Sequence, residues 1–226
     1  MRLAITRLAE KGGQDNELCA SFGHSCGIIS PLSAEPDEEV IGAFLAAYNR
    51  EEFDAVFFTS AYPAEKTAPK MQPNSCRIIS IGPKTAEILE RNGINSEILP
   101  EFYSKAFVPY LGEWIAGKRI GIPRAAVKNA ELIAGIQNAG GIPCEYGCYA
   151  LRATKEILDV CEYDAVLFTS AKSFTEAIFS DLSGKLLIAI GEVTADAMRS
   201  RGAVPAVVGD GSLAGTLAAL NRYLGI

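Results

Sequence analysis

Short apolar runs that end at Thr-Ser or at Gly recur along this chain, and they predict the buried strands of parallel sheets. The runs at residues 55–58 and 165–168 are rich in β-forming residues, and each is followed by Thr-Ser. The next runs, at residues 78–81 and 187–190, each end at a Gly. Apolar residues at helical spacing follow both of these runs and stop at another Gly. The pattern therefore predicts strands that alternate with helices, the arrangement of α/β proteins.

The same order of elements occurs twice, about 110 residues apart, which is too long for a solenoid unit and indicates a duplicated domain. A further match lies upstream of the first strand in each copy. The matching segments are residues 3–7 with 120–124, 54–60 with 164–170, and 80–86 with 189–195. Each copy is predicted to be a flavodoxin-like α/β domain, with a parallel sheet of about five strands flanked by helices.

Each copy is predicted to continue with a short strand and then an apolar helix. The strands are expected at residues 96–99 and 206–208, and the helices at residues 106–116 and 214–224. Ser104 and Ser212 precede these helices, so both are predicted to be N-caps.

The repeat does not decide how often the chain passes between the two domains. Residues 29–36 and 142–149 are candidates for two crossings between the copies. A single crossing near Gly117 is the alternative, and the residues alone leave both open.

Composition and charge narrow the classes of partner. The 226 residues carry a net charge of −6 without any run of Lys or Arg, which argues against nucleic acid. No apolar stretch approaches the length of a membrane-spanning helix, so we expect no membrane association. The six cysteines form no CxxC pair and the N-terminus does not resemble a signal peptide. These features predict a cytoplasmic protein with reduced thiols.

Hydroxyl, amide and guanidinium groups are predicted at the carboxyl ends of the strands, where open parallel sheets bind ligands. Such groups suit carboxylates or phosphates. The candidate ligand-binding residues are Arg7, Thr59, Ser60, Gly82, Thr85, Ser104, Arg124, Thr169, Ser170, Lys172, Gly191, Thr194 and Ser212. Taken singly, Ser and Thr at these positions also fit simple helix caps, and Gly fits a tight turn. The presence of the same set in both copies favours binding of a large ligand with many anionic groups.

The motifs of common enzyme classes are missing from the sequence. It contains no nucleotide-binding glycine motif and no GxSxG, and its only histidine is His24. The spacing of Cys19, His24 and Cys26 matches no standard zinc site, so no metal is expected. Tyr149 follows a strand-like stretch at a candidate crossing, where it either packs or points into a cleft.

These motifs together resemble the uroporphyrinogen-III synthase family over nearly the whole chain. The resemblance rests on the two FTS strands, the IG-x-x-TA segments, the opening LAITR, the central RIGIPR and residues 140–149. It implies two domains joined by two connecting strands. One domain would contain residues 1–32 and 150–226, and the other residues 36–146.

The resemblance also implies a reaction. The substrate would be hydroxymethylbilane, a linear tetrapyrrole with eight carboxylates. Loss of its hydroxyl group gives an azafulvene. A spiro intermediate at ring D then rearranges, and the macrocycle closes as uroporphyrinogen III, a precursor of haem, sirohaem and cobalamin. No cofactor or metal is implied.

Specific roles follow from the same resemblance. Tyr149 would be the acid that assists departure of the hydroxyl group, and Thr59, Ser60, Thr85, Ser170 and Thr194 would line the cleft. Glu192 departs from the family pattern; because it would repel a poly-acid, either it points away or this side of the pocket differs. We expect a monomer, and transient contact with the preceding enzyme of the pathway stays open.

Two other functions remain as alternatives at this point. One is a small-molecule or sugar-phosphate binding protein without this activity. The other is a sugar-phosphate isomerase or transferase, which would use the Thr-Ser loops as a phosphate cradle, although no acid/base pair is apparent in the sequence.

Overall fold

The computed structural model of the chain describes residues 1–8 and 15–226. The strands, in chain order, are β1 (Arg2–Thr6), β2 (Ser25–Ile29), β3 (Leu32–Pro36), β4 (Ala55–Phe58), β5 (Arg77–Ser80), β6 (Glu97–Ile98), β7 (Arg119–Ala125), β8 (Ile142–Ala153), β9 (Ile157–Leu158), β10 (Ala165–Phe168), β11 (Ile178–Phe179), β12 (Leu186–Ala189) and β13 (Val207–Val208). The α-helices are α1 (Asp15–Ser21), α2 (Glu38–Asn49), α3 (Ala61–Thr67), α4 (Pro83–Arg91), α5 (Phe107–Leu111), α6 (Ala130–Asn138), α7 (Ala171–Thr175), α8 (Glu192–Arg199) and α9 (Leu213–Leu224).

The described residues form two compact units. The first unit contains Met1–Ala34 and Leu151–Ile226, and the second contains Glu35–Ala150. Both passages between the units lie inside strands, β3 and β8, which are neighbours in one sheet. The domain boundaries drawn from the resemblance stay a prediction.

The first unit contains a five-stranded sheet in the order β13-β12-β10-β1-β2. Its paired strands are parallel, and β1 lies beside β10, with Leu3 opposite Ala165. Leu3 packs on one face against α9 residues such as Leu217, whereas Ala4 faces Met198 of α8 on the other face. Because both faces are covered, the central strands are buried and apolar at residues 3–5 of β1 and 165–168 of β10.

A six-stranded sheet has the order β3-β8-β7-β4-β5-β6, and its strands β4, β5, β6 and β7 lie wholly in the second unit. Strand β4 alternates its side chains between the faces, so that Phe58 packs against Phe44 of α2 and Phe57 against Phe107 of α5. The Phe57 and Phe107 rings stack with their centroids 4.1 Å apart. The predicted fold class, α/β with parallel sheets flanked by helices, is confirmed.

One predicted helix is wrong in its extent. Residues 106–116 do not form a single helix: α5 is short, with 3-10 helices on both sides of it, at Ser104–Ala106 and Gly112–Ile115. The α-helix ends at Gly112, whose φ of 55° lies in the left-handed region that glycine adopts readily. The predicted helix at residues 214–224 is confirmed as α9.

The two predicted caps also differ. Ser212 caps α9, because its Oγ accepts from the Gly215 N–H at 2.9 Å. Ser104 is the first residue of a 3-10 helix instead, and Tyr103 occupies the cap position without a side-chain bond. The Ser104 Oγ accepts from the side-chain amide of Asn129 at 3.2 Å. The N-cap prediction for Ser104 is therefore wrong.

An ion pair fastens the edge strand β6 to β5. Arg77 Nε and Nη2 donate to the two Glu97 carboxylate oxygens at 2.8 and 2.7 Å, and Tyr110 Oη donates at 2.9 Å. The pKa of Glu97 is lowered, mainly by the hydrogen bonds from Arg77. Burial opposes this with the next largest effect, and the hydrogen bond from Tyr110 lowers the pKa further. A carboxylate whose pKa is lowered by folding adds stability above its unfolded pKa, and that stability is lost as the pH falls through the folded pKa.

We expect Glu97→Gln to lower the free energy of unfolding at pH 7 by less than about 1 kcal/mol, because both side chains are partly exposed and water screens the pair. The difference from the wild type should shrink as the pH falls through about 4.3, the pKa of an unfolded Glu, and continue to shrink towards the lower pKa of the folded carboxyl group. Thermal unfolding of both proteins between pH 7 and pH 3 measures this. A difference that does not depend on pH would contradict the assignment.

Within residues 1–8 and 15–226, no helix is long and apolar enough to cross a membrane.

Candidate active site

Predicted ligand-binding residues of the first unit meet at the carboxyl ends of β1 and β10. Arg7 directly follows β1, and Thr169 and Ser170 directly follow β10. They line a cavity of about 380 Å³ that also has an apolar wall. The lining residues are Thr6, Arg7, Leu8, Pro31, Leu32, Leu151, Thr169, Ser170 and Ser173. Such a cavity, lined by both polar and apolar groups, suits an apolar ring that carries acidic substituents.

A hydrogen-bond network holds the polar side of this cavity. Ser170 caps α7 and forms a capping box with Ser173: each side-chain oxygen accepts from the other residue's N–H, at 3.0 and 3.1 Å. Thr6 Oγ1 donates to Ser173 Oγ at 3.0 Å, and the Thr169 hydroxyl donates to the Thr6 carbonyl. Sequence reasoning missed Thr6 and Ser173, although a Ser three residues after a capping Ser is a visible signal.

Two cationic side chains lie at or near this cavity: Arg7 lines it, and Lys172 lies on helix α7. Arg7 Nη1 donates to Asp15 Oδ1 at 2.8 Å, in an ion pair whose side chains are largely buried. A guanidinium group has five N–H donors, so this contact orients Arg7 without using up its capacity to bind an anion. Lys172 Nζ donates to the Leu151 carbonyl at 2.6 Å, which ties α7 to the end of β8.

In the second unit, the structure brings Ser60 and Tyr149 together. Ser60 follows the end of β4, and Tyr149 lies on β8 beside a register shift in its pairing with β7. The Ser60 and Tyr149 hydroxyl oxygens are 3.3 Å apart. Tyr149 is 5% exposed, and its ring centroid lies 4.6 Å from that of Tyr62. The candidate acid therefore contacts Ser60 and Tyr62, two residues that follow the carboxyl end of β4.

Gly82 and Gly191, which the repeat predicts at strand ends, occupy the N-cap positions of α4 and α8. The threonines three residues later, Thr85 and Thr194, are each only 3% exposed. Their burial favours a role in packing the helix start, and their contact with a ligand stays a prediction. Glu192 accepts from Arg199 Nη1 at 2.7 Å, so its carboxylate is directed along its own helix.

Arg124 is committed to contacts within the second unit. It is 8% exposed, its Nη1 donates to Glu145 Oε2 at 2.9 Å, and its Nη2 donates to the Val127 carbonyl. Ser212 is similarly engaged, because its hydroxyl donates to Asp210 Oδ1 at 2.7 Å while capping α9. For these two residues the contacts favour a structural role. The candidate residue Thr59 lies between β4 and Ser60 and is partly buried.

The thiols and the histidine do not form a reactive centre in the described part of the chain. Burial raises the pKa of the Cys148 thiol to about 12, so the neighbour of Tyr149 is a neutral thiol at pH 7. His24 is buried and its Nε2 lies 2.7 Å from Asn221 Oδ1, which ties it to α9. Among residues 1–8 and 15–226, no group of three His, Cys, Asp or Glu side chains could hold a metal ion.

Comparison with known proteins decides the family. The sequence profile described as "Uroporphyrinogen-III synthase HemD" matches residues 14–211. The chain belongs to the uroporphyrinogen-III synthase family. It is 26% identical over 191 residues to a uroporphyrinogen-III synthase of Synechococcus elongatus, covering 73% of this chain and 70% of that protein. It is 25% identical to a putative uroporphyrinogen-III synthase of Methanothermobacter thermautotrophicus, covering 74% of this chain and 73% of that protein.

Solved structures of this family share the fold. The Helicobacter pylori uroporphyrinogen-III synthetase aligns with a TM-score of 0.57 and 17% identity, covering 99% of this chain and 100% of that one. A mutant uroporphyrinogen III synthase from Thermus thermophilus aligns with a TM-score of 0.53 and 18% identity, covering 100% of this chain and 99% of that one. At this identity the likeness concerns the fold, and the uroporphyrinogen-III synthase fold is the one that the sequence resemblance implies.

Proposed function

We propose that this protein is a uroporphyrinogen-III synthase, a cyclising hydro-lyase of tetrapyrrole biosynthesis. It converts hydroxymethylbilane into uroporphyrinogen III with loss of water and inversion of ring D. The observation that carries the proposal is the family match over residues 14–211. The alternative of a binding protein without this activity is not favoured by that match.

The cavity of the first unit supports binding of such a substrate. Arg7, Thr169 and Ser170 offer guanidinium and hydroxyl groups for a carboxylate, and Leu32 and Leu151 offer an apolar surface for a pyrrole ring. A volume of about 380 Å³ fits one part of a tetrapyrrole rather than the whole. We assign to this cavity a pyrrole ring with its acidic side chains.

Tyr149 is proposed as the general acid. Its phenol donates a proton to the hydroxyl group of the substrate, the carbon–oxygen bond breaks with its electron pair going to oxygen, and water leaves. The azafulvenium cation that remains, which is the azafulvene with its pyrrole proton still in place, carries the reaction on to ring closure. A proton released from the pyrrole during the final rearrangement restores the phenol, so the cycle needs no cofactor.

The remaining features are proposals of the same kind. Residues 1–32 with 150–226, and residues 36–146, act as the two domains of the enzyme. The enzyme works as a cytoplasmic monomer, and a transient contact with the preceding enzyme of the pathway would deliver its unstable substrate. The residue assignments Thr59, Gly82, Thr85, Ser104, Arg124, Lys172, Gly191, Thr194 and Ser212 stay proposals for the substrate-binding set, and for Arg124 and Ser212 substrate binding would come in addition to the structural contacts described above.

Separation of product isomers tests the proposed activity. Purified protein is mixed with freshly prepared hydroxymethylbilane, and the products are oxidised and separated into type I and type III isomers. We expect type III as the main product, since closure without the enzyme proceeds without inversion and gives type I. Type I alone, formed at the rate seen in buffer, would overturn the proposed function.

A further inference from the structure

Equivalent serines of the two copies do different things. Ser60 and Ser170 both follow the Thr at the end of the repeated strand, and both occupy the N-cap position of the next helix. The Ser170 side chain caps its helix by accepting from the N–H three residues later. The Ser60 side chain makes no cap hydrogen bond, and its oxygen lies 3.3 Å from the Tyr149 hydroxyl oxygen instead.

The cause of this difference is a single residue in the sequence. The position three residues after Ser170 is Ser173, whereas the position three residues after Ser60 is Pro63. Proline has no backbone N–H, so it cannot donate to a capping oxygen. Proline in the first turn of a helix is otherwise well tolerated, because the N–H groups there have no partner within the helix. Pro63 is thus compatible with the first turn of helix α3, and it removes the N–H group that corresponds to the one from which Ser170 accepts in the other copy.

The contact between Ser60 and Tyr149 has a chemical use if Tyr149 is the acid. When the phenol gives up its proton, its oxygen becomes negatively charged. A hydroxyl that donates to a charged oxygen forms a stronger hydrogen bond than one that donates to a neutral oxygen. The Ser60 hydroxyl therefore stabilises the phenolate more than the phenol, and this lowers the barrier to proton transfer.

We infer that Ser60 is a positioning residue for Tyr149. Pro63 releases the Ser60 hydroxyl from helix capping, and this hydroxyl donates to the phenol oxygen of Tyr149 as the phenol loses its proton. This inference rests on the proposed function for its kinetic consequence. The hydrogen bond itself is independent of that function and has its own measurement below.

A double-mutant cycle tests the kinetic consequence. We expect Ser60→Ala to lower kcat about 10-fold and to change KM less than about twofold, because the lost bond matters mainly after proton transfer has begun. Ser60→Thr, which keeps the hydroxyl group, should restore most of kcat. In a Tyr149→Phe background, Ser60→Ala should have no further effect on kcat, because the phenol oxygen to which the Ser60 hydroxyl donates is absent.

Thr67→Val is the matched control. The Thr67 hydroxyl donates to the Pro63 carbonyl at 2.8 Å within the same helix α3, so its removal weakens this helix without contact to Tyr149. We expect this variant to keep kcat and KM. Equal losses of kcat in Ser60→Ala and Thr67→Val would overturn the inference, and so would an equal effect of Ser60→Ala in the presence and absence of the Tyr149 hydroxyl.

A spectroscopic measurement keeps the inference separate from the proposed function. The protein is labelled with 3-fluorotyrosine, and the ¹⁹F resonance of residue 149 is identified by its loss in Tyr149→Phe. This resonance should shift in Ser60→Ala and stay in place in Thr67→Val. An unchanged resonance in Ser60→Ala overturns the hydrogen bond, whereas an inactive wild-type protein with a shifted resonance overturns the proposed function alone.

Discussion

Tyr149→Phe is expected to lower kcat about 100-fold or more, because general acid catalysis by a positioned side chain contributes about that factor. Phenylalanine keeps the ring, so the packing of this buried residue against Tyr62 at 4.6 Å between centroids persists. Only the hydroxyl group is lost, together with its contact to Ser60. KM should therefore stay within about threefold, since the change removes an interaction of the transition state.

The variant should retain measurable activity. Bringing the two ends of a flexible tetrapyrrole together supplies part of the rate, and this positioning does not depend on the phenol. Single-turnover kinetics with product isomers separated at each time point give both quantities. Turnover equal to that of the wild type would remove Tyr149 from the mechanism, and a variant that fails to unfold cooperatively would show that its role is structural.

The sequence predicted the strands well, because each is a short buried run with a clear end. Residues 55–58 and 165–168 form β4 and β10 as expected. The helix at residues 106–116 was predicted from its apolar character alone, and Gly112 divides it, since the preference of one glycine for positive φ outweighs the apolar pattern. Composition and periodicity do not show where a helix of mixed geometry begins.

The site was predictable as a set of strand ends and not as a set of contacts. Arg124 is predicted to bind a ligand, which stays a prediction. Its observed partner Glu145 lies on the neighbouring strand β8, and pairing between strands distant in sequence cannot be predicted from local pattern. Ser60 and Ser170 look equivalent in the repeat. Their different partners follow from Pro63 and Ser173, which a comparison of the copies shows only when the helix start is counted residue by residue.

Gly209→Ala is expected to lower the free energy of unfolding by about 3 kcal/mol, from overpacking together with a disturbed buried hydrogen bond. A Cβ at Gly209 would lie 1.9 Å from Thr216 Oγ1 and 2.7 Å from the Ile190 carbonyl oxygen. Thr216 is fully buried, and its hydroxyl donates to the Ser212 carbonyl at 2.6 Å. Neither neighbour can move away as an exposed side chain could.

The loop that carries Gly209 also reaches the proposed substrate-binding positions. A Cβ at Gly191 would lie 3.3 Å from the Gly211 backbone, so the start of α8 and this loop are packed backbone against backbone. A displaced loop would press on the start of α8, and we expect KM for hydroxymethylbilane to rise in Gly209→Ala.

Gly42→Ala is the control, because the substitution is the same but Gly42 has open space around it, whereas Gly209 is closely packed. Gly42 is exposed within helix α2, and a Cβ there meets no heavy atom within 4 Å. Alanine in an exposed helix interior is more stable than glycine by roughly 0.5–1 kcal/mol, so this variant should gain stability. Urea unfolding of the three proteins measures both effects. The change in backbone entropy favours alanine at both positions. A loss of stability confined to Gly209→Ala is therefore due to the close packing of the loop at the edge of the first unit's sheet.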